Sequence, residues 1–88
     1  MKIHKYQLQV TDEQLLEIPK YSKFLSLQVQ YGKPCVWFLV DEITKETEWI
    51  KFITIGTGQQ AYGINYYTFL GTYQLLEGNL VHHVWAGL

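Results

Sequence analysis

The sequence predicts an all-β fold, on three observations. Its 88 residues suffice for one domain. Apolar residues recur at every second position in several segments, which is the periodicity of half-buried strands. Turn-forming residues follow the apolar segments at the spacing typical of hairpins. We therefore expect a single domain over residues 1–88, an antiparallel meander of six or seven strands that forms a small barrel or a sandwich.

The N-terminal segment predicts two short strands. YQLQV alternates, with its larger apolar residues on one face: Tyr6, Leu8 and Val10. A polar turn is expected at 11–14, and LLEI then predicts a second strand that Pro19 ends. The same segment also suits a helix that Thr11 or Asp12 would cap. Pro19 leaves room for barely two helical turns, so we favour the strand.

The clearest element is FLSLQVQYGKPCVWFLVD. Its first half predicts a half-buried strand whose alternating face carries Leu25, Leu27, Val29 and Tyr31. Gly32 follows in a predicted turn, where glycine can adopt a positive φ. Pro34 suits the first position of the next strand. CVWFLV is apolar on both faces, which predicts a strand at the centre of a sheet.

The C-terminal half predicts one strand and one hairpin. After a polar turn at 41–47, EWIKFITI places four side chains on one face: Trp49, Lys51, Ile53 and Ile55. Its other face carries Ile50, Phe52 and Thr54. Further on, two apolar segments flank the turn residues 77–79, which indicates a hairpin.

Residues 56–61, GTGQQA, match the dinucleotide-binding pattern G-x-G-x-x-[G/A]. That pattern holds a pyrophosphate because a helix begins at the loop. Here AYGINYY follows, and its Gly63, Ile64 and tyrosines form helices poorly. The chain is also too short for the required βαβ fold. We therefore expect no cofactor, and a flexible connection whose glycines supply turns.

The same loop is nevertheless the candidate binding site. Free amides, two glutamines and nearby tyrosines can grip a small ligand or a partner's backbone without a helix. Tyrosine also offers a large contact area at low entropic cost. The candidate ligand- or partner-binding residues are Gly56, Thr57, Gly58, Gln59, Gln60, Tyr62, Tyr66 and Tyr67.

The remaining reactive residues, two histidines and one cysteine, do not form a predicted catalytic or metal site. His82 and His83 are neighbours on a predicted strand, so they point to opposite faces and cannot easily share a metal ion. We expect one to be partly buried and hydrogen-bonded and the other to be exposed. Cys35 is expected to be a small buried side chain, and with no second cysteine it suits a reducing compartment. No catalytic residue and no metal site is predicted.

Net charge, apolar run length and aromatic content predict which classes of partner the chain can have. The net charge is −1, with no basic stripe, so we expect no nucleic-acid partner. No apolar run approaches the ~20 residues of a membrane span, and the N-terminus lacks the apolar core of a signal peptide. Aromatic residues make up 16%, too many for a small core to bury, which indicates an exposed interface. Low charge with apolar surface favours a homodimer or a higher oligomer.

Four segments together resemble a family of small, uncharacterised proteins of bacteriophages and prophages: IHKYQLQVTDEQ, IPKYSKFLSLQVQYGKPCVWFLVD, IGTG and GTYQLLEGNLVHHVW. The resemblance covers most of the chain, missing mainly 42–49 and 59–68. It implies a phage-encoded accessory protein in the cytoplasm of the bacterial host, without established activity or catalytic residues. QQAYGINYYTF departs from the short polar loop of that family, so a specialised function is expected there.

We therefore predict a non-enzymatic binding protein that engages a host component, either an immune-defence protein or the signal molecule of such a system. An alternative is a structural phage component or an assembly chaperone, which would co-purify with virions or with a capsid or tail protein. A third hypothesis, ranked last, is a small hydrolase or nuclease that uses His82 or His83 with an acid.

Overall fold

The computed structural model describes all of residues 1–88 and confirms the all-β prediction. Seven strands form two antiparallel sheets, and there is no α-helix. A single 3-10 turn at Leu76–Gly78 joins the last two strands. The strands are β1 (Lys2–Gln7), β2 (Glu13–Pro19), β3 (Lys23–Gln30), β4 (Lys33–Val40), β5 (Thr47–Gly56), β6 (Thr68–Leu75) and β7 (Leu80–Ala86). The fold contains no helix with the length and hydropathy that crossing a membrane requires.

The strand order differs from the predicted meander. The three-stranded sheet has the order β1-β4-β3 and the four-stranded sheet the order β2-β5-β7-β6. Among consecutive strands only β3 with β4 and β6 with β7 are paired. The meander prediction is wrong because the connections at 8–12, 20–22 and 41–46 each carry the chain from one sheet to the other. The sheets do not close into a barrel.

The two sheets share one hydrophobic core. Phe38 from the three-stranded sheet and Phe52 from the four-stranded sheet are both fully buried. The rings of Tyr6 and Phe24 pack edge-on against Phe38, with centroids 6.0 and 5.7 Å away. The extent of 16 Å along the shortest axis fits two sheets stacked about 10 Å apart. The core cluster comprises Leu8, Ile18, Leu27, Val36, Phe38, Val40, Ile50, Phe52, Tyr73, Val84 and Ala86.

Several sequence predictions are confirmed. The LLEI segment is a strand and not a helix, and β4 is the central strand of its sheet. Cys35 is buried. On β5, Ile50, Phe52 and Thr54 share one face as predicted, and the structure shows that this face is the buried one. The C-terminal hairpin forms as predicted. β6 and β7 are paired along their length, and Leu75 faces Leu80 at the end next to the turn.

Two predicted faces are wrong in part. β1 ends at Gln7, because the chain then bends towards the other sheet, and Val10 is 51% exposed. In β3 a bulge between Phe24 and Ser26 shifts the register. Of the face predicted there, only Leu27 is buried. The last residue of that face lies in the β3–β4 turn, where Tyr31 (φ 53°) and Gly32 (φ 74°) both take the positive φ of a tight two-residue hairpin turn.

Candidate functional site

The glycine-rich connection crosses the outer face of the four-stranded sheet. β5 and β6 run in the same direction, because both pair antiparallel with β7, which lies between them. The segment 57–67, which we call the strap, must therefore return along the length of the sheet. Ile53 points to the outer face, yet it is only 9% exposed. It lines a cleft together with Gln59 and Gln60 of the strap.

Both ends of the strap are fixed to β7 or its extension. Thr57 donates its N–H to the Val81 carbonyl at 3.2 Å, and its Oγ1 lies 2.7 Å from His83 Nε2. At the other end, the Tyr67 ring lies 3.3 Å from the position that a Cβ would occupy at Gly87. A side chain at position 87 would compete for this space, so glycine there lets Tyr67 pack against the sheet.

The strap begins with a tight turn around Gln59. Gly56 donates its N–H to Gln59 Oε1 at 2.6 Å, and Gln59 donates its own N–H to the Gly56 carbonyl at 3.0 Å. Gly58 has a φ of +90°, which favours glycine. After this turn, the amides of Gln60, Ala61 and Tyr62 donate to no backbone carbonyl of the chain. These three amides are therefore backbone donors with no partner within the chain, as in glycine-rich loops that bind ligands.

Two clefts flank the strap. The first, of about 390 Å³, lies between the strap and the start of β2. The second, of about 260 Å³, lies between the Gln59 turn and the β6–β7 hairpin. Gln59 lines both. The first is lined chiefly by Asp12, Glu13, Ile53, Gln59, Gln60 and Tyr62. The second is lined chiefly by Gly56, Thr57, Gln59, Asn79, Val81 and His82.

The charge of these clefts disfavours phosphorylated ligands. No lysine lines either cleft, whereas Asp12 and Glu13 line the first. Glu13 Oε2 lies 3.3 Å from Lys51 Nζ, so that pair is neutral overall, but Asp12 has no ion-pair partner. A polyphosphate would meet an uncompensated carboxylate in the first cleft and no cationic side chain of Lys or Arg type in either.

Large apolar side chains are exposed on the outer face of the four-stranded sheet. Trp49 is 63% exposed, Leu15 57% and Phe69 53%. Strand register places Phe69, Trp85 and Ile53 in one row across β6, β7 and β5. The Phe69 and Trp85 rings contact each other at a tilt, with centroids 5.0 Å apart and 58° between the ring planes. We call the four residues Leu15, Trp49, Phe69 and Trp85 the outer aromatic face.

The two histidines point to opposite faces, as alternation requires. His83 lies on the outer face, where Nε2 is 2.7 Å from Thr57 Oγ1 and Nδ1 is 2.8 Å from Thr72 Oγ1. His82 lies on the inner face, with Nδ1 2.8 Å from the Tyr73 hydroxyl. The prediction that one histidine is exposed is wrong, because both are partly buried and hydrogen-bonded. Neither contacts a carboxylate, and no cluster of three or more metal-ligating residues occurs.

The structure divides the predicted binding residues into three groups. Five line the two clefts, namely Gly56, Thr57, Gln59, Gln60 and Tyr62, and Gly58 belongs to the Gln59 turn. Tyr66 is 96% exposed and lies outside both clefts. Tyr67 is half-buried against Gly87 and fixes the strap instead. Phe69 and Trp85 are not among the predicted binding residues, because only the strand register brings them together.

Comparison with known proteins gives one match. The model of a domain of unknown function, DUF7352, matches residues 1–88 and thus spans both sheets and the strap. No curated protein matches the chain. No solved structure matches it either.

Proposed function

The chain belongs to the DUF7352 family, and we propose that it is a non-enzymatic binding protein, built as a small β-sandwich, that engages a host protein. The proposed setting is the cytoplasm of an infected or lysogenic bacterium, and the proposed partner is a component of an immune-defence system, which binding would inhibit. The single observation that carries the proposal is the exposure of the outer aromatic face. The resemblance to small phage proteins supports the setting.

Covering the outer aromatic face supplies a driving force for binding. Leu15, Trp49 and Phe69 are each more than half exposed on one sheet surface. Burial of apolar area stabilises a complex by roughly 25 cal/mol per Å², less the cost of association. Large aromatic side chains are also the commonest anchors of protein interfaces. Tyr62 and Tyr66 of the strap offer further aromatic surface, at 78% and 96% exposed.

The charge of the site favours a protein over a small signal molecule. Signal molecules built from nucleotides are polyanions, and the two clefts offer them no lysine and, in the first cleft, the unpaired carboxylate of Asp12. A partner protein needs no such charge and can lie flat on the sheet. Without its partner, the same face combined with a net charge of −1 favours a homodimer or a higher oligomer.

Capture from host lysate tests the role of the strap. The bait is the tagged chain, compared with a Tyr62→Ser, Tyr66→Ser double variant and a Tyr31→Asn control. Tyr31 is 90% exposed in the β3–β4 turn, away from the strap, and asparagine tolerates its positive φ. We expect the wild type and the control to retain the same host protein, and the double variant to retain it about tenfold less.

Three outcomes would contradict this account. Equal capture by the double variant and the control would remove the strap from the interface. Retention of no host protein by the wild type, above an untagged control, would remove the proposed partner. Co-purification of the wild type with virions, or with a capsid or tail protein, would favour a structural component or an assembly chaperone.

A further inference from the structure

We propose that the cleft between the Gln59 turn and the β6–β7 hairpin binds a carboxylate group, held by the side chains of Gln59 and His82. We call it the donor cleft. The proposal is separate from partner capture, because it concerns the inner side of β7 and not the outer aromatic face. It rests on the hydrogen bonds that each of these two side chains already makes within the chain.

The orientation of the Gln59 amide is set by Gly56. Gln59 Oε1 accepts the Gly56 N–H at 2.6 Å, so the Nε2 group, with two N–H donors, is the free end. Gly56 and His82 are direct partners across β5 and β7, and side chains of such partners share one face. A Cβ at position 56 would lie 3.0 Å from Gln59 Oε1. Because position 56 has no side chain, the Gln59 amide can lie close to the backbone at the strand position that pairs with His82.

The tautomer of His82 is set by Tyr73. The Tyr73 hydroxyl lies 2.8 Å from His82 Nδ1 and has no other hydrogen-bond partner. Tyr73 is only 3% exposed, and a buried hydroxyl must place its proton on an acceptor. Burial also raises the pKa of Tyr73, which keeps the phenol protonated at neutral pH. Nδ1 is therefore the acceptor, and neutral His82 carries its own proton on Nε2.

Both side chains consequently offer donors to the cleft, because their acceptor atoms are occupied within the chain. His83 offers nothing comparable, since Thr57 and Thr72 occupy both of its ring nitrogens. No carboxylate and no lysine lines the donor cleft. Two neutral N–H donors from residues that line one cleft suit the two oxygens of a carboxylate. A phosphate dianion would need a cationic partner that the cleft lacks.

A Gln59→Glu variant tests the proposal. Glutamate keeps an acceptor for the Gly56 N–H, so the turn is retained, but it replaces the free N–H donors with a second, charged acceptor. The matched control is Gln60→Glu, which makes the same charge change at the next residue and lines only the first cleft. The probe is sodium acetate at constant ionic strength, with sodium chloride as the reference and sodium phosphate as a second anion. Binding is followed by ¹⁵N NMR of the Gln59 side-chain amide and the His82 ring.

We expect acetate to shift the His82 ring signals saturably in the wild type and in Gln60→Glu. In Gln59→Glu the apparent affinity should fall by about tenfold or more, because a donor is lost and a like charge is added. Equal binding by the two glutamate variants would overturn the proposal, as would the absence of any saturable shift in the wild type. Tighter binding of phosphate than of acetate would overturn the carboxylate assignment.

The tautomer of the wild type provides a check that needs no variant. Long-range ¹H–¹⁵N spectra of neutral His82 should show a protonated Nε2 and an unprotonated Nδ1. A proton on Nδ1 would point the free lone pair of Nε2 into the cleft, and the donor cleft would not exist.

Discussion

Replacement of Phe52 by alanine is expected to destabilise the chain by about 3–5 kcal/mol, because it deletes a ring that is fully buried between the two sheets. A domain of this size has a free energy of unfolding of roughly 4–13 kcal/mol, at about 0.05–0.15 kcal/mol per residue. The substitution therefore removes a large part of the total stability. Urea denaturation followed by circular dichroism measures the loss.

The matched control is Trp49→Ala on the same strand. Trp49 faces outward and is 63% exposed, so its loss should cost about 1 kcal/mol or less. Both substitutions lie in β5, but Phe52→Ala alters its inner face and Trp49→Ala its outer face. If Trp49→Ala cost as much as Phe52→Ala, the assignment of inner and outer faces on β5 would be wrong.

The second large effect is expected on the outer aromatic face. A Trp49→Ser, Phe69→Ser double variant should lose captured host protein by about 100-fold or more, because central aromatic anchors each contribute about 2 kcal/mol or more to binding. The fold should survive, since both side chains are more than half exposed. The Phe69 ring packs against Trp85, so a cost of about 1 kcal/mol in stability is expected there. Titration of the captured partner against each purified variant gives the change in affinity.

The control for this pair is an Ile43→Ser, Tyr31→Asn double variant. Both side chains are exposed, at 86% and 90%, but neither belongs to the four-stranded sheet. This variant removes a similar amount of exposed apolar surface from elsewhere on the molecule. Similar losses of affinity in both double variants would indicate a general effect of surface hydrophobicity, and the outer aromatic face would have no special role.

The sequence was sufficient to predict the strands, because their signal is local. Alternation identified both faces of β5, and the apolar run of β4 predicted a central strand. Which strands pair with each other depends on residues far apart in the sequence. The predicted meander order was therefore wrong wherever a short connection crosses from one sheet to the other. A bulge adds one residue without a signal in the sequence, which is why Phe24 packs against Phe38 and Leu25 is 41% exposed, whereas Leu27, beyond the bulge, is buried as predicted.

The candidate site was predictable in composition but not in arrangement. Its glycines and glutamines were recognised as a loop with binding potential. Tyr66 and Tyr67 look alike in sequence, yet only Tyr67 meets Gly87, where the missing side chain leaves room for its ring. The contact between Phe69 and Trp85 depends on the β6–β7 register. The donor orientation of His82 depends on Tyr73, nine residues away and on a neighbouring strand.

Hydrogen–deuterium exchange of the chain, free and bound to its captured partner, tests most directly the proposal that the strap and the outer face form the interface. In the free chain, the amides of Gln60, Ala61 and Tyr62 donate to no backbone carbonyl, so they should exchange rapidly. We predict that the partner slows exchange across the strap, while the turn at 31–32 and the connection at 41–46 remain unchanged. Slowed exchange at 31–32 or 41–46, with the strap unaffected, would contradict the proposal.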